Sequence, residues 1–391
     1  MSEILQTTDA HIKPNTIHQP VLKVLGLGGG GSNAVTRMIE LGMGGVEFIA
    51  ANTDLQVLKS NPAQKKILLG PHVTRGLGAG GDPRLGRAAA EESSREIAAA
   101  LTGADMVFLT AGMGGGTGTG AIPVAAEIAS KLGAVTIAIV TMPFTFEMGR
   151  RQQNASDGVG KLQTKTDTLI SIPNDRLLYV APRDLPLELA FRLADDVLRQ
   201  AVQGISELIT EPGLINVDFA HVRRLMKLGG GALMALGYGQ GEEKANQAIN
   251  EALHHPLLEE IELEQAAGII ANFTGGPDLT LFEVQAALTK LQEQASSHTE
   301  IVLGVINDDR MEDRVQVTLI ITGLGAPTLE ETLSRVARPE PVEPIREQPV
   351  ISQVVQELPT AEINAAPLTA SPSSADLDLP AFLRRRVRYA G

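Results

Sequence analysis

At 391 residues the chain is longer than a single hydrophobic core usually grows, which predicts two domains plus some unpacked chain. Its hydrophobic fraction of 43% belongs to a globular protein, but aromatic residues make up only 3% and Trp is absent, so the core must be aliphatic. Disulfides, thiolate metal sites and Cys nucleophiles are excluded because Cys is absent, and the net charge of −13 argues against general binding to nucleic acid or an anionic lipid surface. Arg384, Arg385, Arg386 and Arg388 locally reverse that charge. No stretch reaches the roughly 18 to 20 apolar residues that span a bilayer, and Met1 to Pro20 lacks a signal peptide's apolar centre, so a cytoplasmic location is expected.

Residues 1–20 read as a flexible N-terminal segment. From Val21 onward, short β-branched runs alternate with longer Ala-rich stretches, the pattern of strands and crossover helices in a parallel sheet. Strands are expected at Val21 to Leu27, Val46 to Ala51, Lys66 to Leu69, Met106 to Thr110, Val135 to Thr141, Thr168 to Ile172 and Leu177 to Val180. Helices are expected between them at Asn33 to Leu41, Arg84 to Leu101 and Ala121 to Leu132. From Leu185 to Ile209 the apolar positions Leu189, Leu193, Val197, Ala201, Ile205 and Leu208 recur near helical spacing, with no Gly or Pro between Leu187 and Gln203, which predicts one long helix. Glu211, Pro212 and Gly213 end it. Helices around Val222 to Leu228, Glu242 to Leu253 and Thr280 to Ala295, with strands at Gly268 to Phe273, Ile301 to Ile306 and Val315 to Ile321, suggest a second, smaller α/β domain. After about Ala326 seven prolines, from Pro339 to Pro372, interrupt an aromatic-free stretch that reads as a flexible linker, and apolar residues return only at Leu377 to Leu383.

Two loops carry the chemistry. The first expected strand runs into Gly26, Gly28, Gly29, Gly30, Gly31, Ser32 and Asn33 and then a helix, an arrangement that brings backbone N–H groups and a helix dipole to a polyanion. Gly26, Gly28 and Gly31 also satisfy the dinucleotide fingerprint, with Asp54 near the position of its ribose-binding acid, so a nicotinamide-dependent oxidoreductase and a ligand-free tight turn both stay open here. The strand Met106 to Thr110 leads into Gly112, Gly114, Gly115, Gly116, Thr117, Gly118, Thr119 and Gly120, again opening a helix. Two such loops at the C-terminal ends of parallel strands can converge on one ligand, whereas a nicotinamide domain needs only the first. No Gly-x4-Gly-Lys-Ser/Thr occurs, so phosphate charge must be met by backbone dipoles, hydroxyls, Arg and a cation such as Mg2+.

The strings GLGGGGSNAV (26–35), ANTD (51–54), GLGAGGDP (76–83), GGGTGTG (114–120), PFTFE (143–147), SIPNDRLL (171–178), NVDFA (216–220) and TGGPDLTLFEV (274–284) closely resemble the FtsZ family of tubulin-like cell-division GTPases. The resemblance covers roughly 21–325 and returns at the tail. It implies an α/β fold with a Rossmann-like GTP-binding domain on a parallel sheet (21–184), a long central helix (185–212), a smaller α/β activation domain (213–326), a disordered linker (327–376) and a partner-binding peptide (377–391). By the same resemblance the glycines of both loops, with Thr117 and Thr119, cradle the phosphates of GTP or GDP with Mg2+. Gly80 closes over the γ-phosphate, Glu147 and Arg151 contact ribose and phosphates, and Asn174 lies on the sugar side. Asn33 and Asp195 resemble the guanine readers, and Phe191 stacks on the base. Chemistry alone also allows Asp195 this role, since a carboxylate accepts from both N1–H and the 2-amino group of guanine. Without the resemblance, Asp195 would read as a solvated helix carboxylate and Arg151 as a surface arginine.

The resemblance further implies that hydrolysis uses a loop from the next subunit of a head-to-tail homopolymer, here Asn216 and Asp218. Where the family usually has a second acid, three residues after Asp218, this chain has His221. A GTP-binding filament or regulator with little hydrolysis is therefore an alternative. Asp378 to Arg384 resembles the peptide that docks on a membrane-tethering division protein, which places the chain at the division site near the inner face of the membrane with indirect membrane contact. Direct lipid binding by the arginines ranks second, and nucleic acid is not an expected partner.

Overall fold

The computed structural model describes residues 19–147, 149–180, 184–211, 213–215, 217–255 and 263–324. The first half runs β1 (Leu22–Leu27), α1 (Gly28–Glu40), β2 (Val46–Asn52), α2 (Leu55–Ser60), β3 (Lys65–Leu68), α3 (Pro83–Glu92), α4 (Ser94–Leu101), β4 (Met106–Gly112) and α5 (Thr117–Lys131). Next come β5 (Val135–Met142), α6 (Arg150–Gln163), β6 (Thr168–Pro173), α7 (Asn174–Val180) and α8 (Leu187–Thr210). The remainder is α9 (Phe219–Met226), β7 (Gly231–Gln240), α10 (Lys244–Leu253), β8 (Gly268–Gly275), α11 (Leu281–Gln294), β9 (Glu300–Asn307) and β10 (Arg314–Leu324).

All ten strands form one sheet in the order β3-β2-β1-β4-β5-β6-β7-β10-β8-β9. The first six are parallel, so every one of them points its C-terminal end the same way. β6 and β7 meet through only two residue pairs, Leu169–Gly231 and Ile170–Ala232, and beyond that narrow join β10 lies antiparallel between β7 and β8. Alternation along β1 feeds two cores: Leu22 and Val24 join Met38, Phe108, Leu198 and Val202 on one face, while Leu25 and Leu27 join Ile97, Ile122 and Leu162 on the other. A third cluster with Ala235, Ile249, Phe273 and Leu291 fills the second half. The aliphatic expectation holds, since Phe108, Phe144 and Phe273 are the only buried aromatics among the described residues. Lys23, buried within β1, spends its ammonium on the last carbonyls of α4: Nζ donates to Ala100 O at 3.0 Å and Thr102 O at 2.9 Å, with Glu47 at 3.6 Å.

Several elements differ from the sequence expectation. Leu177 to Val180 belongs to helix α7 and not to a strand; a four-residue apolar run cannot separate the two, and Asn174 and Asp175 after Pro173 are helix-start residues. The helix expected over Arg84 to Leu101 breaks at Ser93, whose hydroxyl accepts from Gly70 N–H at 3.0 Å and donates to Leu68 O at 3.3 Å. Strand β7 carries no clear strand signal because Gly237 and Gly239 must stay small: a Cβ on them would lie 1.9 Å from Ala248 O and 1.8 Å from Lys244 O, where α10 presses on the sheet. An open groove of about 710 Å³ runs between α3, α5 and α6. Its walls pair some of their own charges, with Arg87–Glu91 and Lys131–Glu127 each at 2.7 Å, and Thr119 and Gly120 of the second glycine loop line it from the other side.

The contact between α3 and α5 depends on missing side chains. A Cβ on Gly120 would sit 2.1 Å from Pro83 O, and one on Gly86 would sit 2.2 Å from Gly116 O, both rigid backbone atoms. Gly160, in α6, has nothing within 4 Å. Gly120→Ala should therefore cost about 1–3 kcal/mol through overpacking, whereas Gly160→Ala should gain roughly 0.5–1 kcal/mol from helix propensity. Thermal unfolding of the two variants checks this, with Tm moving in opposite directions.

Candidate functional site

Because β1 and β4 are parallel neighbours with Leu27 opposite Ala111, the turns that follow them emerge side by side. The two glycine loops then touch through backbone. A Cβ on Gly28 would lie 2.7 Å from Gly118 N, one on Gly30 2.9 Å from Gly112 N, and one on Gly31 2.3 Å from Thr110 O. Gly28 also has φ of +70°, which favours glycine. Gly29 and Gly115 face open space, with nothing within 4 Å of a Cβ. Both following helices start without a side-chain cap and without an acidic residue in the first turn. Two sets of free N–H groups and two positive dipole ends are thus left for an anion.

A third loop covers this cradle. Thr53 Oγ1 and Thr117 Oγ1 share a hydrogen bond of 2.6 Å, Gly78 N–H donates to Thr53 O at 3.1 Å, and Ala79 packs where a Cβ on Gly116 would come within 2.9 Å. Gly80, at φ +55°, faces open space. Asp54 is occupied in capping α2, accepting from Gln56 N–H at 2.8 Å, which removes it as the ribose acid of the nicotinamide reading. Thr119 sits inside the second loop as a brace, its hydroxyl accepting from Gly114 N–H at 2.9 Å. Gly114, at φ +95°, closes on α6, where a Cβ would lie 2.8 Å from Arg151 O. On α6, Asn154 donates to Gly81 O at 3.3 Å and Gly114 O at 3.4 Å, tying the second and third loops together; no motif had marked it. Glu147 is nearly buried and holds Arg151 Nη1 at 2.9 Å, while its other oxygen accepts from Phe144 N–H at 2.9 Å, so the exposed guanidinium is anchored from below.

The opposite end of the cleft is suited to a ring. Phe191, on α8, meets Phe144 edge-on at 5.6 Å, and Phe144 stacks on Phe146 at 5.0 Å. The sequence string contained Phe144 and Phe146, but only the chain of ring contacts from Phe146 through Phe144 to Phe191 singles them out. Asn33 is exposed on α1, which packs against α8. Asn174 opens α7 and is buried, with Oδ1 lacking a hydrogen-bond partner. Burial lifts the Asp195 carboxyl to a pKa of about 7, and only the nearby charge of Arg37 opposes that shift.

Asn216 lies outside the described residues. Asp218 caps α9, accepting from Ala220 N–H at 2.9 Å, and His221 is exposed in the first turn of that helix. They do not join the cradle of their own chain. The C-terminal end of α9 is held at the start of β6, where Thr168 Oγ1 donates to Met226 O, and the glycine loops sit at the other ends of the parallel strands. Asp195 and Thr210 are about 22 Å apart along α8, and the loop begins beyond Thr210.

Comparison with known proteins gives the same outline. The family profile "Tubulin/FtsZ family, GTPase domain" matches residues 21–182, and "FtsZ family, C-terminal domain" matches 230–325. The cell division protein FtsZ of Pseudomonas putida is 44% identical over 393 residues, covering 95% of this chain and 98% of that protein; the Pseudomonas aeruginosa counterpart is 44% identical over 387 residues with the same coverage. An empty FtsZ dimer from M. jannaschii superposes with a TM-score of 0.75 at 45% identity, covering 78% of this chain and 89% of that one. CetZ2 from Haloferax volcanii, solved as a GTPγS-bound protofilament, shares the fold at 20% identity, with a TM-score of 0.66 over 81% of this chain and 97% of that one.

The raised pKa of Asp195 has a stability consequence. Folding favours its protonated form, so the nucleotide-free protein loses stability as pH rises from the ordinary carboxylate range near 4 to about 7 and loses no more above that. Asp195→Asn should therefore raise the urea midpoint at pH 8, by a gain on the order of a few kcal/mol at most, and the gain should shrink towards zero near pH 4.

Proposed function

This chain belongs to the FtsZ family of GTP-binding cytoskeletal proteins of cell division, and from that membership we propose that its GTPase site is completed only by a second copy of itself. The observation that carries the proposal is the separation of parts: the phosphate cradle lies at the C-terminal ends of β1 and β4, while Asp218 and His221 lie beyond the far end of α8. One chain cannot close that gap, but a head-to-tail neighbour can. Such a contact is heterologous and grows an open filament where no rotation closes it.

Uncovered apolar surface supports the same reading. Leu77, on the loop over the cradle, is 83% exposed; Leu214, four residues before Asp218, is 71% exposed. Leu281 and Phe282 follow β8, whose last residue pairs with the end of β9 near the point where Leu214 N–H donates to Val305 O at 2.8 Å; they too are largely exposed. Apolar side chains grouped in this way mark contact surfaces.

In the cycle we propose, the glycine loops and the N-termini of α1 and α5 bind the phosphates, and Arg151, steadied by Glu147, adds a cation. Asn174 takes the sugar, Phe191 stacks on the base, and Asn33 and Asp195 read its edge. Mg2+ is the cation that would accompany the phosphates, and its chemistry there would be to neutralise their charge. The hydroxyls of Thr53 and Thr117, 2.6 Å apart beside the cradle, are neutral oxygen donors of the kind Mg2+ would accept. Asp218 of the incoming subunit orients the attacking water, which ties turnover to assembly. His221 stands where a second acid is usual, so turnover is slow for the family. Among the described residues no helix is long and apolar enough to cross a membrane, and the Asp378 to Arg384 peptide, outside the described residues, supplies docking on a tethering partner at the division site.

Phosphate release measured alongside sedimentation with GTP tests this scheme. Asp218→Asn should still bind and sediment with GTP while phosphate release falls by about 100-fold or more. His221→Asp should speed release, and equal rates would remove His221 from the account. Deleting residues 378–391 should change neither readout.

A further inference from the structure

A buried cation stands in an unfavourable place in the second half of the chain. Lys244 is the first residue of α10, and its side chain is only 6% exposed. A positive charge at a helix N-terminus opposes the helix dipole, and burial adds a desolvation cost. Two carboxylates offset both: Nζ lies 3.0 Å from Asp278 Oδ2 and 3.2 Å from Glu283 Oε1. An apolar side chain here would avoid both costs, so the use of the ammonium lies in what it holds.

It holds the turn from Gly276 to Glu283. Asp278 Oδ1 also accepts from Asp313 N–H at 3.3 Å, so the starts of α10, α11 and β10 meet around one carboxylate. Gly276 leaves that turn no slack, since a Cβ on it would lie 2.6 Å from Asp278 Oδ1 and 2.8 Å from Met311 O. Glu283 divides its two oxygens. One faces Lys244, and the other accepts from Thr280 N–H at 2.9 Å while Thr280 Oγ1 accepts from Glu283 N–H at 3.3 Å, a reciprocal cap that brackets Leu281 and Phe282. Those two apolar side chains are 71% and 81% exposed.

We propose that Lys244 is a positioning residue for self-assembly: its ammonium, locked between Asp278 and Glu283, fixes the direction in which Leu281 and Phe282 leave α11 and so how they meet a second copy of this chain. This role presumes the head-to-tail contact proposed above, because both side chains sit at the same end of the second half as Leu214 and the loop to Asp218. Apolar groups on a rigid first turn lose little freedom on contact, whereas ordering a loose turn would cost affinity. The ion pairs of Lys244 stay within the second half, so assembly and not nucleotide binding should register its loss.

Critical concentrations from sedimentation of the full chain with GTP, measured alongside GDP affinity, test this role. Lys244→Met should raise the critical concentration about 5- to 30-fold and change GDP affinity by less than about twofold, and Lys244→Arg should recover most of the loss. Asp278→Asn, at a side chain already 38% exposed, should reproduce part of the rise, which keeps the test open if Lys244→Met fails to fold. Phe282→Ala should raise the critical concentration about 10-fold or more, and in that background Lys244→Met should add less than about twofold. An unchanged critical concentration in Lys244→Met and Asp278→Asn, or in Phe282→Ala, overturns the role. So does a fully additive loss in the Phe282→Ala background, which would mark the ion pairs as support for the fold only. If the wild-type chain itself does not sediment with GTP, the filament reading fails, an outcome distinct from failure of Lys244 alone.

Discussion

The contact on which this protein depends is backbone against backbone. The turns after β1 and β4 approach so closely that Gly28, Gly30 and Gly31 leave no room for a Cβ against Gly118, Gly112 and Thr110. That closeness sets two uncapped helix N-termini over one space, and it explains how a phosphate site works without the lysine of a P-loop. The same economy of side chains continues outward. Gly116 and Gly120 let α3 and the third loop settle onto α5, and Asn154 then holds the second and third loops by their carbonyls. A change at one glycine would therefore move more than its own turn.

Helix α8 sets the length scale of the molecule. Its 24 residues span about 36 Å, with Phe191 and Asp195 near one end and the loop to Asp218 beyond the other. Leu198, Ala201, Val202, Ile205 and Leu208 bury one face of the helix in the core shared with β1 and β4, so it is a rigid spacer between ends. The glycine loops and the loop that carries Asp218, held apart by such a spacer, meet only between chains that line up under the proposed scheme. Asp195 shows a cost of that packing: burial works against its ionised form.

Much of this was legible in sequence. Parallel strands, the long helix and both glycine loops follow from periodicity and from Gly clusters after β-branched runs, because those features depend on local chemistry. Helix starts were placed late: Gly28 to Gly31 and Thr117 to Gly120 form the first turns of α1 and α5, although glycine is a poor helix former. β7 was invisible because close packing against α10 replaced its strand-forming residues with glycine. Asn154 was missed for a related reason: a clamp on two carbonyls exists only once distant segments meet.

The most direct measurement is complementation between two silent variants. Asp218→Ala keeps its pocket but lacks the loop, whereas Gly115→Asp, which sets a carboxylate in the open space facing the phosphates, keeps its loop but loses the pocket. Equal mixing should restore phosphate release to as much as about a quarter of the wild-type rate, the share of head-to-tail interfaces that pair an intact pocket with an intact loop. A mixture as silent as either variant alone would contradict the shared site.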